Sequence, residues 1–162
     1  NRTWGGYEAL HKSMIHADEL LKSARVKTII DKRPEFTLPP SPVMGYVSWG
    51  SNDGKYDRNT YRKIRFLPGA IAETYVSTSG RTMVPTDRGQ SLIADLVHQG
   101  VTGVKGYVTE PYTIALCPAD VLVTRYLAGF NLAESFYAAS PVIHWKDIVI
   151  GDPLCNPYRS AK

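Results

Sequence analysis

The chain has 162 residues, 43% of them hydrophobic and 21% charged, and a net charge of +4 at pH 7. That length suits a single α/β domain over residues 1–162, and the composition excludes a largely disordered chain. No apolar run approaches the roughly 20 residues that cross a bilayer, so the sequence predicts no membrane span.

Positive charge is densest between Tyr56 and Arg65, where aromatic and basic residues alternate. Surfaces that bind nucleic acid can have this pattern, here through Arg58, Arg62, Lys63 and Arg65. Acidic residues are scattered through the rest of the chain, however, and no nucleic-acid-binding module follows. We therefore rank nucleic acid last among the partner classes and expect a solvated loop here.

Helix and strand patterns alternate along the chain. Apolar residues at helical spacing predict an N-terminal helix through Leu10, Met14, Ala17 and Leu21. Further helices are predicted at Gln90–Gln99, with Gly100 as its C-terminal cap, at Pro118–Leu127, and at Leu132–Tyr137, capped by Asn131. Strands are predicted at Val26–Ile30, Val43–Trp49, Gly69–Val76, Gly103–Val108 and Lys146–Ile150.

This alternation predicts a mostly parallel sheet with helices on both faces. In such sheets, the loops that leave the carboxyl ends of the strands form the binding crevice. The corresponding loops are Trp49–Gly54, Ser77–Thr82 and Thr109–Tyr112. The crevice residues that we predict are Trp49, Ser51, Asp53, Ser77, Arg81 and Tyr112.

Two serines in the second loop are candidate nucleophiles. Ser77 and Ser79 directly follow a strand, and the backbone N–H groups near Gly80 offer an oxyanion site. The candidate bases are Glu73, Glu110, Asp53 and His98. The alternative is a loop whose hydroxyls satisfy its own backbone.

Neither a metal nor a cofactor is expected. The four histidines form no zinc pattern, and Trp49 stands where an EF-hand loop beginning there would place its first carboxylate. The segment Ser77–Thr82 lacks the Gly-Lys-Ser/Thr ending of a phosphate-binding loop. The two cysteines, Cys117 and Cys155, are either buried thiols or one disulfide.

Three segments resemble an uncharacterised bacterial protein family of unknown function. They are Gly100–Tyr112, Asn131–Pro141 and Val149–Cys155. The resemblance implies an exported protein, periplasmic or extracellular, of which this chain is the C-terminal part. In that setting a bridge between Cys117 and Cys155 becomes a possibility.

More distantly, the order of elements is similar to that of the gingipain-like cysteine peptidases, which implies a caspase-like fold. The catalytic positions depart from that family. Tyr46–Ser51 resembles the histidine segment with Trp49 in place of the histidine, and Val76–Gly80 resembles the cysteine segment with Ser77 in place of the cysteine. Indole accepts no proton, and serine without a base is a poor nucleophile.

The sequence thus predicts a non-catalytic, peptidase-like domain that binds a protein or peptide partner or serves a structural role. The alternative is a divergent hydrolase that uses Ser77 or Ser79 as its nucleophile. A base within hydrogen-bond reach of either hydroxyl would favour the hydrolase.

Overall fold

Four strands form one sheet in the order β1-β2-β3-β4 in the computed structural model, which describes residues 6–159. They are β1 (Val43–Ser48), β2 (Phe66–Thr74), β3 (Gly103–Tyr107) and β4 (Asp147–Gly151). The β1–β2 and β2–β3 pairs are parallel, and β3–β4 is antiparallel. The predicted α/β class with a mostly parallel sheet is confirmed, while a caspase-like topology stays a prediction.

The helices are α1 (Gly6–Ser23), α2 (Arg58–Tyr61), α3 (Ile93–His98), α4 (Ala119–Leu127) and α5 (Leu132–Ala138). Short 3-10 turns lie at Gly50–Asn52 and Thr113–Ala115. Gly100 has a φ of 90° directly after α3, and Val101 N–H donates to the Leu96 carbonyl, which confirms the predicted left-handed cap.

By its internal contacts the chain divides into two compact units. The first takes Asn1–Lys32, Tyr112–Ile143 and Pro153–Lys162, and the second takes Arg33–Pro111 and His144–Asp152. The sheet with α2 and α3 belongs to the second unit, and α1, α4 and α5 belong to the first. The expectation of one domain over residues 1–162 stays a prediction.

In the second unit, one face of the sheet carries the hydrophobic core. Ala70 and Ala72 of β2 and Val104 of β3 pack with Tyr61, Ile64, Ile93, Leu96 and Val101. Small residues at the centre of the sheet leave room for the larger side chains of α3 and the α2 region.

In the first unit, α1 packs on α4 and α4 packs on α5. The start of α5 is satisfied in full: the Asn131 side chain accepts from Glu134 N–H, and the Glu134 carboxylate accepts from Asn131 N–H, each at 2.9 Å. Leu132 N–H and Ala133 N–H donate to the carbonyls of Cys155 and Pro153. The predicted Asn131 cap is confirmed as a complete capping box.

Two sequence predictions are wrong. Val26–Ile30 forms no strand: its β-branched residues meet no partner strand, and Ile29 is 58% exposed. The basic stretch is not a solvated loop, since it forms α2 and buries Tyr61 and Ile64 in the core. In both cases the secondary structure was determined by tertiary packing, and local propensity does not report tertiary packing.

Several element boundaries also differ from the prediction, most by one or two residues and two of them by three. Strand β2 begins at Phe66 rather than Gly69, because a shift of pairing between Val43 and Gly45 admits the Pro68–Gly69 step. Helix α3 begins at Ile93 rather than Gln90, because the side chains of Gln90 and Ser91 accept hydrogen bonds from neighbouring loops.

Candidate functional site

The carboxyl ends of the three parallel strands lie side by side at one end of the sheet, as predicted. There β1 leads into Trp49–Gly54, β2 into Tyr75–Thr82, and β3 into Val108–Pro111. Gly50 makes the first turn with a φ of 48°, and a Cβ on it would stand 2.7 Å from a Val76 methyl carbon and 2.8 Å from the Ser91 hydroxyl. Only glycine fits a turn packed this closely against the next loop.

Ser77 and Trp49 occupy the two positions where the resemblance would place a nucleophile and its base. Trp49 packs edge-on against Tyr75, with ring centroids 5.0 Å apart. Ser77 is half-buried, and among residues 6–159 no side chain hydrogen-bonds its hydroxyl. Within the described residues, no general base is therefore hydrogen-bonded to the Ser77 hydroxyl.

Ser79 is tied into the backbone instead. It is fully buried, and its hydroxyl accepts from Tyr107 N–H at 3.3 Å. Its own N–H donates to the Val76 carbonyl, and its carbonyl accepts from Ile93 N–H at 2.9 Å. Ser79 thus joins the second loop to the end of β3 and to the start of α3.

Side-chain amides and hydroxyls hold the first two loops together. Asn52 donates to the Tyr75 carbonyl at 2.7 Å and accepts from Gln90 at 3.2 Å. Gln90 in turn accepts from both the N–H and the hydroxyl of Thr78. Ser51 and Ser91 exchange hydrogen bonds through their N–H and hydroxyl groups at 2.9 and 3.1 Å.

Three arginines fasten the segment Arg81–Gln90, which we call the clamped loop. Arg81 donates to the carbonyls of Thr78 and Arg88, at 2.9 and 2.7 Å. Arg58 donates to the carbonyls of Thr86 and Gly89, and Arg62 donates to the Thr86 carbonyl and binds Asp87 and Asp95.

Backbone carbonyls are thus the main partners of these guanidinium groups. The guanidinium group of the predicted crevice residue Arg81 therefore binds the loop's own backbone. Those of Arg58 and Arg62 likewise donate to backbone carbonyls. At the tip of the clamped loop, Met83 and Val84 are 44% and 70% exposed.

Among the described residues of the second unit, none of the other predicted site residues hydrogen-bonds Ser77. Asp53 is exposed and accepts from Lys55 N–H, and Glu110 is exposed, with its carbonyl bound by the Lys146 ammonium. His98 is exposed at the end of α3. Tyr112 belongs to the first unit, where it has a φ of 56°.

Glu73 belongs to a buried ionic cluster on the sheet, which we define as Glu73, Lys105, Tyr107 and Asp147. Glu73 stands beside Lys105 in the parallel register, and Tyr107 stands opposite Asp147. Tyr107 donates its hydroxyl hydrogen to Glu73 at 2.8 Å, and Lys105 pairs with Asp147 at 2.7 Å. Glu73, Lys105 and Tyr107 are all fully buried.

Burial raises the pKa of Glu73 to about 8, against the opposing effects of Lys105 and the Tyr107 hydrogen bond. The second carboxylate oxygen, Oε2, is buried and has no hydrogen-bond partner among residues 6–159. A neutral, protonated Glu73 near pH 7 is the state that this environment favours. The sequence indicated Glu73 only as one of four candidate bases and gave no sign of the cluster.

A further polar cluster in the first unit also escaped the sequence analysis. Ser13 and His16 of α1 both bind the Asp120 carboxylate of α4, at 2.7 and 2.9 Å. Burial raises the pKa of Asp120, but hydrogen bonds from His16, Ser13 and Val121 N–H outweigh it and hold this pKa below its usual value. Because both side chains bind the carboxylate rather than each other, the cluster joins two helices and is not arranged as a catalytic triad.

Within the described part of the chain, no group of three His, Cys, Asp or Glu side chains could hold a metal ion. Over the same residues, no helix has the length and apolarity required to cross a membrane. Cys117 and Cys155 are both free thiols, so the structure contains no bridge between them. The Cys155 sulfur lies 3.4 Å from the Tyr126 hydroxyl.

Comparisons with protein-family models, with curated proteins and with solved structures find no match to this chain. The resemblance stated above therefore remains an expectation.

Proposed function

We propose that this chain is a non-catalytic, peptidase-like domain that binds a protein or peptide partner through the loops at the carboxyl ends of β1, β2 and β3. One observation carries the proposal: no side chain among residues 6–159 hydrogen-bonds the Ser77 hydroxyl, while Trp49, in place of a base, packs on Tyr75. Without a base, the serine hydroxyl stays protonated and reacts slowly.

The rigidity of these loops supports binding. The clamped loop is held through five guanidinium–carbonyl contacts, and Asn52 and Gln90 connect the loops that follow β1 and β2. A surface ordered before association loses less conformational entropy when a partner arrives. Met83 and Val84 then provide apolar contact area on a fixed support.

The hydrolase alternative has less support. Ser79 is fully buried, and its hydroxyl already accepts from Tyr107 N–H. Ser77 is the more accessible of the two serines, but Asp53 and Glu110 bind elsewhere or face solvent. Export to the periplasm or the cell exterior is part of the proposal and rests on the family resemblance alone.

Two measurements on the whole chain test the proposal. A fluorophosphonate probe should leave Ser77 unlabelled, because an unactivated serine does not react with it. Covalent labelling that disappears in Ser77→Ala would establish the hydrolase instead.

For binding, peptides selected on the parent protein from a display library are titrated against Met83→Asp and a matched control, Leu67→Asp. Met83 and Leu67 are similarly exposed, at 44% and 41%, but Leu67 lies at the amino end of β2. We expect about tenfold weaker binding for Met83→Asp and unchanged binding for Leu67→Asp. Equal loss in both variants, or a library that yields no binder, would contradict the proposed surface.

A further inference from the structure

Strand β4 forms one edge of the sheet and has the backbone pattern of an unpaired edge. Its register with β3 runs without interruption from Tyr107–Asp147 to Gly103–Gly151. One residue beyond, Val108 N–H donates to the Lys146 carbonyl at 2.8 Å, so these two residues form a hydrogen-bonded pair. Hydrogen-bonded and non-hydrogen-bonded pairs alternate along an antiparallel ladder.

That alternation fixes which backbone groups face outward. Ile148 and Ile150 bond to β3, whereas Asp147, Val149 and Gly151 direct their N–H and C=O groups away from it. The hydrogen bond from Gly80 N–H to the Tyr107 carbonyl supports this assignment. It shows that the Tyr107 carbonyl points away from β4, as expected where Tyr107 and Asp147 form a non-hydrogen-bonded pair. Outside the sheet, no residue among 6–159 bonds the backbone of Val149.

The edge also lacks several of the usual protections against pairing, although it is short and carries one charged residue, Asp147. Proteins commonly guard exposed edges with proline, lysine or a β-bulge within the strand. Strand β4 has neither proline nor lysine between Asp147 and Gly151, and its register has no bulge. Val149 is 42% exposed. The neighbouring apolar residues Val108 and Trp145 are similarly exposed, at 44% and 47%.

The sequence of this edge is complementary to itself. In an antiparallel pairing of two copies centred on Val149, Ile148 of one copy stands opposite Ile150 of the other, and Asp147 stands opposite Gly151. Lys146, whose ammonium also donates to the Glu110 carbonyl, then stands opposite Asp152, so residues of opposite charge face each other at both ends. The outward groups of Asp147, Val149 and Gly151 fall into register as hydrogen-bonded pairs, about six bonds in all.

We propose that β4 pairs with β4 of a second copy of this chain, joining two sheets into one across a two-fold axis. A symmetric contact requires a surface that complements itself, which this strand provides. This inference is independent of the proposed binding function, which uses the loops at the carboxyl ends of the parallel strands. A contact built on one short strand pair is small, so association is expected at about 10–100 µM.

The test is sedimentation velocity on the whole chain over about 1–300 µM, with circular dichroism to verify folding. The parent should dimerise, and Val149→Pro should weaken dimerisation at least about tenfold, because it removes an outward N–H that β3 does not use. A parent that stays monomeric over this range, or a dimer that survives Val149→Pro unchanged, would overturn the proposal.

A charge exchange keeps the test decisive if Val149→Pro does not fold. Lys146→Glu alone and Asp152→Lys alone each place like charges opposite one another and should weaken the dimer by about three- to tenfold. The double variant should restore parental association, while Lys55→Glu, at an exposed lysine elsewhere, should leave it unchanged. A double variant no better than the single ones would assign the dimer to another surface.

Discussion

Tyr107 donates its phenolic hydrogen bond to the Glu73 carboxylate at 2.8 Å, and both side chains are fully buried. The two residues stand on neighbouring parallel strands, with Lys105 beside Glu73 and Asp147 opposite Tyr107. A carboxyl group in such surroundings is most stable with its proton on. The protonation of Glu73 therefore links the stability of the sheet to pH.

Glu73→Gln should change the pH dependence of stability. The pKa of Glu73 is about 8 in the folded chain and 4.5 ordinarily, so the folded state binds more protons between these values. The free energy of unfolding of the parent should then fall as pH rises from about 4.5 to about 8. Glutamine keeps a hydrogen-bond acceptor for Tyr107 but does not titrate. The decrease in the free energy of unfolding that comes from Glu73 should therefore be absent in Glu73→Gln.

Urea unfolding at several pH values measures the effect. Near pH 5 the two proteins should differ little, and near pH 9 Glu73→Gln should be more stable by about 1–3 kcal/mol. Glu110→Gln, at an exposed carboxylate, is the control and should follow the parent. Parallel curves for parent and Glu73→Gln would refute a raised pKa at Glu73.

Lys105→Met should destabilise the chain because it leaves the Asp147 carboxylate without its cation. The Lys105–Asp147 pair is buried, with exposures of 0% and 12%, and removing one partner of such a pair costs about 3–5 kcal/mol. Adding Asp147→Asn should cost less than the sum of the single changes, which a double-mutant cycle by urea unfolding measures. The exposed Lys12–Glu8 pair is the matched control, and Lys12→Met should have no measurable effect.

The sequence predicted the strands more successfully than the cluster between them. Val43–Ser48 and Gly103–Tyr107 combine β-branched and aromatic residues with turn signals at their ends, and local patterns report such strands well. Val26–Ile30 has the same local pattern but finds no partner strand in the fold. A strand requires a pairing partner, which a local pattern does not contain.

The ionic cluster depends on register, which the sequence does not show. Glu73 and Lys105 are 32 residues apart, and only the parallel pairing of β2 with β3 brings them side by side. The same holds for the clamped loop, where Arg62 reaches Thr86, Asp87 and Asp95 across 24 to 33 residues. The basic residues between aromatic ones suggested a charged surface. In the structure, however, Arg58 and Arg62 donate hydrogen bonds to backbone carbonyls of the clamped loop.

Arg62→Lys should loosen the clamped loop. The Arg62 guanidinium donates at once to Asp95, Asp87 and the Thr86 carbonyl, at 3.0, 2.6 and 3.0 Å. An ammonium lacks the planar guanidinium fork with which arginine contacts several acceptors at once. Hydrogen exchange in residues 82–89 should therefore speed up by about tenfold, with little change in the β strands. Arg65→Lys, at an exposed arginine, should leave the exchange as it is in the parent.

Trp49→Ala should separate packing from partner binding at the proposed surface. Trp49 is half-buried against Tyr75, so its truncation should lower the free energy of unfolding by about 2–3 kcal/mol. Trp49→Phe retains an aromatic ring against Tyr75 and should recover most of this stability. Ser77→Ala should change stability by less than about 1 kcal/mol, because no described side chain bonds that hydroxyl.

Melting and peptide titration on the same Trp49 variants distinguish its two roles. If Trp49 contacts the partner, Trp49→Phe should fold almost as stably as the parent yet bind selected peptides about fivefold or more weakly, since the smaller ring loses contact area and the indole N–H. If Trp49 only packs the first loop, stability and affinity should recover together in Trp49→Phe. The second result would remove Trp49 from the binding surface and leave Met83 and Val84, on the clamped loop, as its apolar contacts.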